Sequence, residues 1–247
     1  MTEHVALETA IRFAGVAKSY GGQQVLRGVD FEVRAGEIFG LVGMNGAGKT
    51  TCIKALLDFQ AVDAGAIEVF GRASAEVSAR ERLAYLPERF LPPYYQTGER
   101  FLSTMGELHR QTMDRDRLEA LCAQLDFMPG VLSRPVRFYS KGMSQKLGLM
   151  GCFVSGKELH VLDEPMSGLD PKARVLVKRH IVTLAARGNT FFFSTHMLSD
   201  VQEICDRMGI LHEGRIAFIG TPEACCRQFG VTNLEDAYLA CIADVAK

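Results

Sequence analysis

The chain has 247 residues, 47% of them hydrophobic and 23% charged, with a formal net charge of −1. A chain of this size and composition can bury roughly three quarters of its unfolded surface in one α/β domain with an inserted lobe, and its near neutrality, with no block of like charge, disfavours sequence-independent binding to DNA or RNA. No apolar stretch approaches the roughly 18 residues needed to span a bilayer, and residues 1–10 lack the basic-then-apolar layout of a signal peptide, so a cytosolic chain is expected.

In chain order, residues 11–22 and 25–33 alternate apolar with polar around the turn-like Tyr20-Gly21-Gly22, which predicts an antiparallel hairpin in a small β-sheet. The near-continuous apolar run Ile38-Phe39-Gly40-Leu41-Val42 suits a parallel strand buried on both faces. It leads directly into Gly43-Met44-Asn45-Gly46-Ala47-Gly48-Lys49-Thr50-Thr51, a phosphate-binding loop, and then into a helix starting near Gly48 with Ile53, Leu56 and Leu57 on one face. Glycines at those positions let the backbone wrap an anion. Several peptide N–H groups and the helix N-terminus then point at the phosphates, Lys49 adds a full charge, and Thr50 offers a hydroxyl oxygen to Mg²⁺. Such a chain handles a nucleoside triphosphate.

Further strands are expected at residues 66–71 and 82–87. From residue 90 to about 155 the character becomes helical, with Phe101, Met105 and Leu108 on one face and Leu118, Leu121, Cys122 and Leu125 on the next. This stretch reads as an insertion, residues 90–155, into a core made of residues 1–89 and 156–247. Two short apolar runs, 159–162 and 190–193, suit central parallel strands, and between them lies a helix that Asp170 can cap, that Pro171 can open and that Gly188 can end. Asn233 can cap a last helix carrying Leu234, Tyr238 and Ile242. The seven cysteines show no C-x-x-C pair and the six histidines no metal-binding pattern, so reduced, mostly buried cysteines are expected.

The strand at 159–162 runs into Asp163-Glu164-Pro165, placing two carboxylates at a strand's C-terminal end, where open α/β sheets hold their ligands. Alone, such acids are common as turn or cap residues. Beside a phosphate loop they divide the work of nucleotide hydrolysis: Asp163 holds Mg²⁺ directly or through water, and Glu164 orients and polarises the attacking water. His196, at the end of the phenylalanine-rich strand, could donate to a γ-phosphate oxygen or position that water. His160, inside a strand, reads instead as a hydrogen-bonded core residue.

Taken together, these segments resemble the ATPase subunit of an ATP-binding-cassette (ABC) transporter over nearly the whole chain. The segment Tyr139-Ser140-Lys141-Gly142-Met143-Ser144-Gln145-Lys146-Leu147 is similar to that family's signature sequence, Leu-Ser-Gly-Gly-Gln, keeping Ser140 and Gly142, in a form like that of single-cassette exporter ATPases. The resemblance implies a P-loop NTPase (RecA-like) parallel-sheet core with an N-terminal antiparallel β subdomain and an inserted α-helical subdomain. It further implies ATP and Mg²⁺ as ligands, and catalysis in a head-to-tail dimer in which each signature covers the other cassette's γ-phosphate.

By the same resemblance, Tyr20 stacks on adenine, although an ordinary turn tyrosine is the alternative. Residues 167–170, including Asp170, form the loop through which opposing cassettes communicate, and His196 matches the switch histidine. Glu88 stands where most members have a glutamine that touches Mg²⁺ and the attacking water, which leaves its ligand role open. Residues 90–95 fall where a membrane partner's cytoplasmic helix would dock, with core packing of the aromatics as the alternative. The implied partners are a separately encoded membrane-spanning permease and a second ATPase subunit, identical or not, which would hold the chain at the inner face of the cell membrane. A soluble cassette protein acting on ribosomes, nucleic acid or another assembly is the rival reading.

Overall fold

The computed structural model describes residues 8–245. The chain runs β1 (Thr9–Tyr20), β2 (Gln23–Arg34), β3 (Ile38–Val42), α1 (Lys49–Leu56), β4 (Ala64–Val69), β5 (Arg72–Ala73), α2 (Val77–Arg80), β6 (Leu83–Leu86), α3 (Gly98–Leu108), α4 (Arg115–Gln124), α5 (Pro129–Leu132) and α6 (Lys141–Val154). It continues through β7 (Leu159–Asp163), α7 (Pro171–Ala185), β8 (Thr190–Thr195), α8 (Leu198–Ile204), β9 (Arg207–His212), β10 (Arg215–Gly220), α9 (Pro222–Phe229) and α10 (Leu234–Val245).

Two sheets result. The first, ordered β2-β1-β4-β5, is antiparallel. Its leading hairpin turns on Gly21 and Gly22, both at positive φ (53° and 84°), the pairing that a tight two-residue turn requires. The second is ordered β10-β9-β3-β8-β7-β6, parallel except for the β9–β10 hairpin. Strands β3, β7 and β8 are buried at every position, which explains why they read as unbroken apolar runs rather than alternating ones.

A ladder of phenylalanines joins the sheets. Phe31 of β2 stacks on Phe13 of β1 at 4.4 Å between centroids, on Phe39 of β3 at 5.7 Å and on Phe192 of β8 at 5.8 Å. The other face of the parallel sheet, carrying Leu162, Phe191 and Phe193, packs in one apolar cluster with Phe101, Leu102, Leu121, Cys122, Leu125 and Met150 of the helical segments. The helical region therefore shares its core with the sheet. Leu108 departs from expectation: it is 69% exposed, because α3 ends there and His109 and Arg110 (φ 54°) turn the chain away before a further turn could bury it. The caps at Asp170 and Asn233 form, with Asp170 Oδ1 accepting from the Ala173 N–H at 2.9 Å and Asn233 Oδ1 from that of Asp236 at 2.8 Å. Among the described residues, no helix is long and apolar enough to cross a membrane.

All seven cysteines are free thiols, five of them buried. Burial pushes the Cys52 and Cys152 thiols up to about 12, so they stay protonated and unreactive at neutral pH. His160 is buried, stacked on Phe191 at 4.6 Å, with Nε2 3.3 Å from Asn189 Oδ1. Burial pulls its pKa down to about 4, outweighing the Asn189 contact, and His180 falls to about 4 for the same reason.

Unfolding releases both rings to an ordinary pKa near 6.5, so the unfolded chain binds the extra protons as pH drops below that value and the folded state loses stability towards pH 4. For His160 the loss between pH 7 and 5 should be on the order of 2 kcal/mol. Denaturant midpoints measured across that window should fall for the wild type and fall less steeply for His160→Phe; equal slopes would refute the assignment.

Candidate functional site

The phosphate loop is shaped by what surrounds its glycines. A Cβ on Gly43 would lie 2.5 Å from the Leu211 carbonyl oxygen, and one on Gly48 would lie 2.9 Å from Leu26 Cδ2 and 3.3 Å from the Val25 carbonyl. The loop is thus pressed between the ends of β2 and β9, and Gly48 (φ 111°) turns it into α1. No side chain caps α1 and no acid occupies its first turn, so its leading N–H groups remain available to an anion.

Lys49 arches back over the loop. Its Nζ donates to the Gly43 carbonyl at 2.7 Å and the Met44 carbonyl at 3.3 Å, and stands 3.6 Å from Glu164 Oε1. Glu164 follows β7 directly, with φ at 48°, a left-handed conformation unusual for a side-chain-bearing residue and uncommon before proline. Strain of this kind, roughly 1–3 kcal/mol, persists where surrounding structure enforces it. Here the enforcement comes from Ser194, whose hydroxyl donates to Asp163 Oδ1 and accepts from the Glu164 N–H at 3.0 Å. His196 Nδ1 lies 3.0 Å from both Glu164 carboxylate oxygens.

Lys49, Glu164 and His196 line one cleft of about 480 Å³. Of the residues singled out from the sequence, Tyr20, Met44, Asn45, Gly46, Gly48, Lys49, Thr50, Thr51, Glu88, Glu164 and His196 meet there. Gly43 and Ala47 are buried beneath the loop. Asp163, 1% exposed, stands behind the wall with one oxygen engaged by Ser194. It also helps, after burial itself, to push the Tyr85 hydroxyl up to about 12.

For a divalent cation, the cleft offers the Thr50 hydroxyl and the Glu88 and Glu164 carboxylates, an all-oxygen set that fits a hard ion such as Mg²⁺. Among the described residues, no group of three or more His, Cys, Asp or Glu could hold a metal alone. An ion here would complete its shell from ligand oxygens or water.

Ser140, Gly142 and Asp170 do not line this cleft. Ser140, exposed, caps α6 by accepting from the Met143 N–H at 3.2 Å. Gly142 packs so closely on the neighbouring loop that a Cβ would come 2.9 Å from the Gly168 carbonyl. Lys141 Nζ reaches Ser167 Oγ at 3.4 Å, and buried Gln145 donates to the Pro165 carbonyl at 3.1 Å, tying α6 to the turn that carries Glu164. Ser194 and Gln145 were not anticipated as site residues. Only the strand register, which sets Asp163 opposite Ser194, exposes the role of the first.

The sequence pattern of the family described as ABC transporter matches residues 26–167. The chain is 36% identical over 200 residues to an uncharacterized ABC transporter ATP-binding protein of Synechocystis sp., covering 79% of this chain and 56% of that protein, so it spans little more than half that relative's length. It is 35% identical over 224 residues to the Nod factor export ATP-binding protein I of Rhizobium sp. (strain N33), covering 88% of this chain and 72% of that one. A solved structure of an ATP-binding subunit of an ABC transporter superposes with a TM-score of 0.86 at 31% identity, covering 94% of this chain and 99% of the other. The overall architecture agrees with these matches, and the chain belongs to the ABC transporter family.

Proposed function

We propose that this chain is the ATP-binding and ATP-hydrolysing subunit of an exporter, and that it drives a separate membrane-spanning permease through ATP-dependent dimerisation. The observation that carries the reading is the separation of two anion-recognising surfaces. The cleft gathers Lys49, Thr50, Glu88, Glu164 and His196, while Ser140, exposed at the N-cap of α6, does not line it. A second copy or a related cassette, placed head to tail, would bring its own Ser140 to this cleft.

In that arrangement the phosphates sit on the N–H groups of residues 43–51 with Lys49 neutralising charge, and Tyr20 faces the base. Thr50 and Glu88 would hold Mg²⁺ with Asp163 behind them; the ion, when bound, would neutralise charge on the phosphates. Glu164 orients the attacking water, and His196, 3.0 Å from its carboxylate, keeps that carboxylate aimed. Ser140, Gly142 and Asp170 of the partner cassette complete the site. Because those contacts exist only in the closed pair, ATP favours closure and its hydrolysis removes the preference.

The docking surface for the permease is placed at Leu91, Tyr94, Tyr95 and Phe138, large side chains that are all well exposed beside the groove at α6. Exposed aromatics on this scale mark interaction surfaces. Export as the direction draws on the name of the Rhizobium relative and on the Tyr-Ser-Lys-Gly-Met form of the signature. The chain would then work in the cytoplasm, on the inner face of the membrane, with no nucleic acid partner.

Glu164→Gln should bind ATP normally, lose about 10²- to 10⁴-fold in turnover and accumulate as an ATP-bound dimer in sedimentation; near-normal hydrolysis would remove Glu164 from its role. Ser140→Arg should leave ATP affinity of the monomer unchanged yet abolish both dimer and turnover, and activity retained at every protein concentration would exclude the head-to-tail site. Tyr95→Asp should lose the membrane-spanning chain that co-purifies with the wild type from detergent extracts while ATP binding persists; undiminished co-purification would move the docking surface elsewhere.

A further inference from the structure

The turn that ends β1 is held by more contacts than a hairpin needs. Tyr20, its last strand residue, lines the nucleotide cleft while remaining 39% exposed. Its hydroxyl donates to Gln60 Oε1, and Lys18 Nζ lies over its ring, 5.7 Å from the centroid. Lys18 is itself fixed: Asp63 Oδ1 accepts from its Nζ at 2.9 Å while Asp63 Oδ2 accepts from the Ser19 N–H at 2.6 Å. The Lys18 and Ser19 hydrogen bonds hold the Asp63 carboxyl below its ordinary value. The Asp63 N–H closes the anchor on the Ala17 carbonyl at 2.8 Å. Gln60 and Asp63 both belong to the segment joining α1 to β4, which leaves the end of the phosphate-loop helix.

We propose that Gln60 and Asp63 are positioning residues for the nucleotide base: Gln60 holds the Tyr20 hydroxyl, Asp63 holds Lys18 against one face of the ring, and Tyr20 is thereby presented at a fixed distance from the phosphate loop. The proposal rests on the reading of Tyr20 as the base platform. A tyrosine on an exposed hairpin would otherwise sample several rotamers and lose that freedom when a base stacked on it. Pinned at its phenolic end and covered on one face by an ammonium group, the ring offers the remaining face already ordered. The contacts act on the ring and not on a base edge, so they serve any planar base.

The test is equilibrium binding of magnesium ATP and of magnesium tripolyphosphate, which keeps the phosphates and has no base, to the full chain. Gln60→Ala and Asp63→Ala should each weaken ATP about 3- to 10-fold and leave tripolyphosphate within about twofold. Tyr20→Phe, which keeps the ring and loses the hydroxyl, should match Gln60→Ala, and the two together should be no weaker than either alone. Tyr20→Ala should cost about tenfold or more in ATP affinity and nothing in tripolyphosphate affinity.

If Tyr20→Ala weakens ATP while Gln60→Ala, Asp63→Ala and Tyr20→Phe bind it as the wild type does, the tether is refuted and the base platform stands. If Tyr20→Ala binds ATP normally, the platform itself is wrong and the tether falls with it. A loss of tripolyphosphate affinity in step with ATP in the Gln60 and Asp63 variants would show that the connecting segment acts on α1 rather than on the ring, which also overturns the proposal.

Discussion

Three parallel strands ending at one level of the sheet are the constraint on which this site depends. With β8 between β3 and β7, Val42 pairs with Thr195 and Asp163 with Ser194, so the phosphate loop, the Glu164 turn and the His196 segment leave the sheet side by side. From that edge Lys49 comes within 3.6 Å of Glu164, and His196 within 3.0 Å. A one-residue slip of β7 would reverse which of its side chains face which layer and would carry Asp163 away from Ser194. The apolar interior that makes the strands immovable is therefore also what aligns the polar groups at their ends.

Buried polar contacts around that edge then refine the aim. Ser194 serves two carboxyl-bearing residues at once, accepting from the Glu164 N–H and donating to Asp163, so the unusual backbone of Glu164 is fixed from beneath rather than by the exposed turn alone. Gln145 reaches the next residue, Pro165, from α6. The helix that starts with Ser140 is in this way mechanically attached to the turn that carries Glu164. Movement of the helical segments relative to the sheet would be felt at the carboxylate without any long pathway, through one amide hydrogen bond and the packing of Gly142 on the Gly168 carbonyl.

Tyr20, the proposed base platform, lines the same cleft but is held differently. Tyr20 sits on an antiparallel hairpin outside the parallel sheet, and it is connected to the phosphate loop by the segment from α1 to β4. The phosphate loop is backbone held by neighbouring strands, whereas the proposed base platform is a side chain steadied by exposed polar contacts. The first tolerates almost no change in its glycines; the second can be tuned residue by residue.

Local chemistry was enough to identify the phosphate loop, because its glycines, lysine and hydroxyls act through their own backbone, and enough to place Asp170 and Asn233 as caps, because a cap reaches only three residues along. Wholly buried strands were equally legible, their apolar runs leaving no alternative face. Leu108 was misjudged because periodicity does not reveal where α3 stops. Only tertiary structure decided that Ser194 supports Asp163 and Glu164, that Asp163 stands behind the cleft wall while Glu88 lines it, that Ser140 and Gly142 lie outside the cleft, and that Gln60 holds Tyr20. The partners in these hydrogen bonds are 30 to 40 residues apart along the chain, and their meeting is set by strand register and packing, which no single stretch of residues encodes.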